Sequence, residues 1–378
     1  MRHRVLLISS VHPSTDPRIV YKIGHSLSAN YEVFCVLPNA LHNSYLEKVQ
    51  MISLPYFQRL TWRLAFTHPV ILWKCLFLRP AIVHIFVPEL IPIAFLFKLL
   101  GAKVIYEVQE NLYKKFEIKR VNNSAVYKLL FGYFDQAARR KFHLILTEKS
   151  YLAQYKNLKY PAVIVQNFVS TSFVDLYSGE KNAGNTKPVF FYSGVISMER
   201  CFDTLVAALI KLREKHSEFH VHLFGPVRFS ERDATQLPGY DSIKKHLTFH
   251  GYTDLRSLLP FASKSVAGIA LLKPIADYQE SYPTKLFEYM ALNLPLITSD
   301  FPLYQDVIKN AKCGFCISPY DTDKLTSVMD WIICNPESAR ILGNNGRKAA
   351  VKKYNWISEE KSLFALYIKI LDSKIQKI

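Results

Sequence analysis

Short apolar runs alternate with helix-period segments along the whole chain. Val5–Ser10 (VLLISS), Tyr31–Leu37 (YEVFCVL), Ala81–Phe86 (AIVHIF), Ala102–Glu107 (AKVIYE), His143–Thr147 (HLILT) and Ala162–Gln166 (AVIVQ) predict strands in the first half. Val189–Gly194 (VFFYSG), His220–Gly225 (HVHLFG), Val266–Leu272 (VAGIALL), Leu294–Thr298 (LPLIT) and Gly314–Ile317 (GFCI) predict strands in the second. Each run is short and bounded by polar residues, the pattern of a buried strand. Pro17–Leu27 reads as a helix that Asp16 caps and Pro17 starts. Such alternation predicts parallel sheets covered by helices on both faces. Ser170–Lys187 (STSFVDLYSGEKNAGNTK) is the most polar, turn-rich stretch in the middle of the chain. The expected division is therefore 1–170, 171–357 and a closing helix within 358–378. The fold class is α/β, with two doubly wound, Rossmann-like domains facing across a cleft lined by strand-end loops.

Composition agrees with two domains: 378 residues at 49% hydrophobic content can bury two substantial cores. The greasiest stretch, 80–100, is interrupted by His84, Pro88, Glu89 and Pro92, so it predicts a strand and a helix rather than a membrane span. The apolar run after MRHR is too short for a signal peptide, and a cytoplasmic location is expected. The cysteines at 35, 75, 201, 313, 316 and 334 show no disulfide spacing. Cys313-Gly-Phe-Cys316 lacks a second ligand pair for zinc, which makes both thiols packing residues.

Charge changes the picture more. The net charge is +17, and residues 1–170 hold 22 Lys+Arg against 9 Asp+Glu. A first half that basic attracts an anionic partner. Within it, Tyr56–Arg79 combines Phe57, Trp62, Phe66, Trp73 and Phe77 with Arg59, Arg63, Lys74 and Arg79. Lys114, Lys115, Lys119 and Arg120 add a basic loop. Aromatic anchors with cations suit an anionic membrane surface. The alternative is that the aromatics form the core face of a domain helix. No nucleic-acid motif is present, so nucleic acid is not expected as a partner.

The candidate chemistry lies in Glu280–Glu288 (ESYPTKLFE). Val266–Leu272 precedes it as a strand, and Thr284–Leu292 follows as a helix that Pro283 is suited to begin. Glu280 then falls in the loop and Glu288 over a turn into the helix. The N–H groups near Thr284 and the Lys285 ammonium share one space. A helix start with a lysine attracts phosphate, and flanking carboxylates grip sugar hydroxyls. That combination suits a diphosphate carrying a sugar.

Glu280 through Glu288, with the following MALNLPLITSDFP, resembles the Glu-x7-Glu motif and continuation of the family 4 (group 1) retaining glycosyltransferases. Asn293 stands where glycine is usual. The resemblance implies the GT-B architecture, in which the last helix crosses back to the first domain. It implies a retaining, metal-independent hexosyl transfer in which cations neutralise the departing diphosphate. Arg200 and Lys285 would act on that leaving group, and Glu280 would hold the transferred sugar. Gly194 matches the family's turn glycine, while Val195 occupies the first position of its basic pair, leaving a contact for Lys285 or Arg18 to supply. Glu107-Val108-Gln109-Glu110 stands where the family has Asp-x-His-Glu, making Gln109 a sugar contact without a proton to exchange. His12 and Arg18, in a loop like the family's first, would meet acceptor or diphosphate.

Nucleotide contacts are expected from the second domain: Gly251 and Tyr252 at a strand end, Pro283 and Thr284 at the helix start, and Glu288 on the ribose diol. His250 is expected to be structural. The partners implied are a UDP- or GDP-linked sugar and a lipid-linked or glycan acceptor, with no cofactor and no metal. The expected role is assembly of surface polysaccharide or glycolipid of bacterial type, on the inner face of the cell membrane. The departures at Val195, Gln109 and Asn293 keep a second reading open: a sugar-nucleotide-binding protein of this fold that is inactive as a transferase or runs an epimerase reaction.

Overall fold

The computed structural model describes residues 2–41, 44–46, 48–116, 124–179, 187–275 and 277–372. They form two compact units: Met1–Asn167 with Ile357–Ile378, and Phe168–Trp356.

Unit 1 is built on eight strands: β1 (Arg4–Ile8), β2 (Glu32–Pro38), β3 (Tyr45–Leu46), β4 (Val49–Leu54), β5 (Ile82–Ile85), β6 (Lys103–Val108), β7 (His143–Leu146) and β8 (Val163–Ile164). They lie in the order β3-β4-β2-β1-β5-β6-β7-β8, parallel except for the β3–β4 pair. The centre of this sheet is buried on both faces, which explains the unbroken apolar runs at Val5–Ile8 and Val33–Leu37. β4 was not among the expected strands. Its run, VQMISL, interleaves Gln50 and Ser53 with buried Val49, Met51 and Leu54. Asp16 does cap the first helix, accepting from the backbone N–H groups of Arg18 and Ile19, and the helix is wound in the wide π form over Pro17–Gly24.

The helix Trp356–Asp372 completes unit 1. Its Tyr367 hydroxyl lies 2.8 Å from His84 Nδ1 in the heart of the sheet. Glu359 accepts the Gln166 N–H at 2.7 Å.

Unit 2 carries six parallel strands: β9 (Val189–Ser193), β10 (His220–Phe224), β11 (Leu247–Gly251), β12 (Ala267–Ala270), β13 (Leu296–Ser299) and β14 (Gly314–Ile317). Their order is β11-β10-β9-β12-β13-β14. The order reverses beside β9, so the loops after β9 and β12 flank a topological switch point, where such sheets bind ligands. The core on one face packs Phe190, Leu205, Leu209, Leu223, Ile269 and Met329 together. Cys313 is buried and Cys316 half-buried, and burial pushes their thiols up to about 12 and about 11. Both are free packing thiols.

Candidate active site

Three strands of unit 2 end in glycines with positive φ: Gly194 after β9 (+116°), Gly225 after β10 (+135°) and Gly251 closing β11 (+67°). Their backbones are stitched together. Gly194 N–H donates to Phe224 O at 2.8 Å, and Gly225 N–H donates to Gly251 O at 2.7 Å. A Cβ on Gly225 would sit 2.0 Å from Gly194 O, so only glycine allows this approach. A Cβ on Gly194 would lie 3.2 Å from Arg200 Nη1. Glycine there leaves the guanidinium its space above the strand end.

Arg200 closes a short helical turn, Met198–Arg200, just past that glycine. Neither carboxylate near it in sequence holds it. Asp203 takes Lys273 Nζ at 2.7 Å, and the Glu199 backbone and Ser197 hold the Glu199 carboxyl below its ordinary range. Arg200 instead stands over the Tyr278 ring, 5.7 Å from its centroid.

The helix Thr284–Ala291 points its start at the same place. Pro283 is its N-cap rather than its first residue, as φ −70° and ψ 128° show. Proline offers no side-chain acceptor, so no side chain caps this end. Lys285 in the first turn is 4% exposed, and its Nζ has no hydrogen-bond partner. The ammonium sits 4.0 Å from the centroid of the Tyr192 ring. Such a desolvated cation–π contact stabilises by about 2 kcal/mol, well short of the cost of burying a charge. Burial, and then the neighbouring Arg200, hold Lys285 well below the usual lysine range, while Glu288 pulls weakly the other way. Two adjoining basic side chains and an uncapped helix start suit a polyvalent anion.

Glu280 and Glu288 flank Lys285 in sequence. Glu288 is half-buried on the helix beyond Lys285, and Glu280 is exposed in the preceding turn, where its N–H donates to Asp277 O at 2.9 Å. Tyr304 fixes that turn by donating to Tyr278 O (2.5 Å) and Ser281 O (3.1 Å). Tyr252 is 58% exposed beside Gly251. His250 is stacked on Phe224 (centroids 4.0 Å apart, planes 5° apart) and lies 3.0 Å from His222 Nδ1. Burial and the imidazoles of His220 and His250 lower His222 to about 4, which makes this a neutral, packed cluster.

Asn293 has a structural explanation. It follows the helix with φ +57° and bonds Asn344 through its amide at 3.0 Å. Asparagine is the residue after glycine that best tolerates this conformation, so the departure lies at the helix end remote from the anion site.

The unit 1 candidates divide. His12 is held after β1 by Ser9 (Nδ1 to Oγ 2.7 Å) and remains half-exposed at the carboxyl end of the sheet. Arg18 corrects the expectation of a ligand contact. It is 3% exposed, chelates Glu107 at 2.7 and 3.1 Å, and donates to Val165 O at 2.7 Å. Burial raises Glu107, but Arg18 and His84 more than offset this and keep it ionised. Gln109 joins the cluster, donating Nε2 to Glu107 Oε1 at 2.8 Å. Arg18 is the counter-ion of a buried carboxylate.

Sequence reasoning missed Tyr192. Its ring supports Lys285, and its hydroxyl donates to Val195 O at 2.6 Å, shaping the turn that lacks the first basic residue. The only sequence signal was an aromatic two residues before the turn glycine, which reads as core.

Residues 174–349, within unit 2, match the family model described as "Glycosyl transferases group 1", which bears out the resemblance read from Glu280–Glu288. The MMP alpha-(1->4)-mannosyltransferase of Mycolicibacterium hassiacum is 30% identical over 125 residues, 33% of this chain and 29% of that protein. The chain spans about half or less of the length of the curated relatives it matches. Sucrose-phosphate synthase from Thermosynechococcus elongatus superposes with a TM-score of 0.74 at 17% identity, over 98% of this chain and 100% of that one. Anabaena HepE, solved with UDP-glucose, gives 0.70 at 10% identity, over 97% and 100%.

Proposed function

We propose that this chain is a retaining glycosyltransferase that moves a sugar from a UDP- or GDP-linked donor to a lipid-linked glycan acceptor. The observation that carries this reading is Lys285: a buried ammonium without a hydrogen-bond partner, beside Arg200, at an uncapped helix start. A donor diphosphate supplies the missing partner. HepE, which shares the fold, holds UDP-glucose, and this favours a uridine donor. As the bond to the sugar breaks, negative charge grows on the leaving phosphate, and Arg200, Lys285 and the Thr284 N–H act on it. Glu280 orients the sugar through its hydroxyls, and Glu288 accepts from the ribose diol. The acceptor hydroxyl enters from the face the diphosphate leaves, which retains configuration. Release of nucleoside diphosphate, assayed over a panel of UDP- and GDP-sugars with lipid-linked acceptors, tests the reading. Binding without release would favour the inactive or epimerase alternative.

The two carboxylates separate in kinetics. Glu280→Gln lowers kcat more than donor affinity, whereas Glu288→Gln weakens nucleotide binding. Each lost charge-assisted hydrogen bond is worth about 1.5–3 kcal/mol, roughly ten- to a hundredfold. Full activity in both variants would remove these assignments.

The acceptor reading rests on the helical segment 60–78 of unit 1. Trp62, Phe66, Trp73 and Phe77 recur at helical spacing and are 48%, 48%, 71% and 80% exposed. They are not the core face of a domain helix. Phe57, Trp62 and Phe66 stack on one another, with Trp62 and Phe66 centroids 5.2 Å apart. Arg63 holds this cluster from beneath: it pairs with Glu89 at 2.6 and 2.8 Å and donates to Phe57 O and Gln58 O. Arg63 is therefore a buried support and not one of the interfacial cations. Arg59 and Arg79 are exposed. Lys119 and Arg120 lie outside the described residues. No described helix is long and apolar enough to cross a membrane. An outward aromatic stripe with cations suits insertion at an anionic surface, each cation contributing about 1 kcal/mol. The chain floats with anionic liposomes at low salt, and serine at Trp62, Phe66, Trp73 and Phe77, or glutamate at Arg59 and Arg79, reduces this. Wild-type protein left at the bottom of the gradient would remove the membrane claim and leave the transferase reading standing.

A further inference from the structure

The last turn of the helix Thr322–Cys334 carries Asp330 and Cys334. Four residues apart, they share one helix face. The helix Phe202–Lys215 packs beside it and ends at His216, its C-cap. His216 Nε2 lies 2.7 Å from Asp330 Oδ1, and Cys334 Sγ lies 3.7 Å from the same oxygen. All three ligand atoms fall within 4.8 Å of one another.

We propose that His216, Asp330 and Cys334 bind one divalent cation of the zinc class through this nitrogen, oxygen and sulfur. Zinc takes imidazole, carboxylate and thiolate at about 2.0–2.3 Å in a tetrahedral array, whose edges run about 3.3–3.6 Å. The sulfur–oxygen distance already fits, the imidazole retreats from the oxygen by about 0.6 Å, and its nitrogen, within 4.8 Å of the sulfur, settles about 3.5 Å from it. The cation replaces the proton shared by His216 and Asp330, and the thiol loses its proton to become a ligand. Solvent water completes the fourth position.

Three further features favour a cation here. Lys215 holds the outer carboxylate oxygen, Oδ2, at 2.7 Å, which fixes the orientation of Asp330 and leaves Oδ1 for the metal. Both helices end at the site, so the negative ends of two helix dipoles converge on it. Cys334 is the exposed thiol among six, and the side chains of His216 and Asp330 are 21% and 24% exposed, so an ion reaches all three.

These helices run against the parallel strands they cover, which places the cluster at the amino ends of the sheet. The donor site stands at the carboxyl ends. The cation therefore clips two helices together and takes no part in transfer.

Titration with cobalt(II) tests the site directly. One equivalent produces thiolate-to-cobalt charge-transfer absorption, and zinc displaces it. Cys334→Ser abolishes that band, while Asp330→Asn and His216→Ala weaken zinc binding by at least about tenfold. Absence of the band in wild-type protein overturns the proposal. So does unchanged affinity in Asp330→Asn and His216→Ala, which would mark an isolated surface thiol. All three positions are at the surface, and the readout does not depend on transfer, so failure here is distinguishable from failure of the transferase reading.

Discussion

Lys285→Ala lowers the rate of nucleoside diphosphate release by about a thousandfold, the upper end of what one preorganised charge donor supplies in a water-poor site. The fold survives the change. In the free protein the amine is buried beside Arg200 without a hydrogen bond, so its removal relieves an unsatisfied buried polar group. The variant melts no lower than wild type while losing activity, a pairing that a structural lysine does not give. The depressed lysine has a second signature. Between its lowered pKa and the ordinary lysine range it is mostly neutral when free, and a bound diphosphate restores its charge. Donor binding then takes up a proton, and affinity falls as pH rises through that window. Calorimetry in buffers of different ionisation enthalpy measures the uptake. Binding with no proton exchange in wild type, or with the same exchange in Lys285→Ala, would falsify the assignment.

Gly225→Ala has the largest effect on stability. The new Cβ meets Gly194 O at 2.0 Å, backbone against backbone, at φ +135°. Strain and overpacking together cost about 4 kcal/mol, which lowers the melting temperature of a domain this size by about 10 °C. Gly251→Ala is the control. Nothing lies within 4 Å of a Cβ there, so only the left-handed backbone at φ +67° is strained, by about 1–2 kcal/mol. Equal melting temperatures for the two variants would show that the seam between the strand-end loops is not a tight contact.

Much of this was legible because it is local. A strand, an uncapped turn and a helix start within Val266–Ala291 fix where Glu280, Lys285 and Glu288 stand, and helix geometry does the rest. Gly194 and Arg200 are six residues apart and follow from one turn. Long-range partners were not legible. Arg18 looked like a loop cation because Glu107, its counter-ion, lies 89 residues away. Arg63 counted as an interfacial charge until Glu89 was seen beneath it. The aromatic stripe of residues 60–78 has the same spacing whether it faces a core or solvent, and only the packed structure decides. β4 escaped because Gln50 and Ser53 interrupt its apolar residues, yet both fit a strand near the sheet edge.

The hydrogen bond between His84 and Tyr367 spans 283 residues of sequence. Unit 1 holds most of the first half of the chain, yet its core is closed by a helix near the other end. On a ribosome adding about 5–20 residues per second, the strands through Ile164 wait roughly 10–40 s before Tyr367 is made. Unit 2 is synthesised entirely within that interval. Unit 2 is thus complete on the ribosome before unit 1, the reverse of the order in which the two begin. The nascent first half meanwhile carries the Arg18–Glu107–His84 cluster without its cover, and it is there that a holding chaperone has work to do.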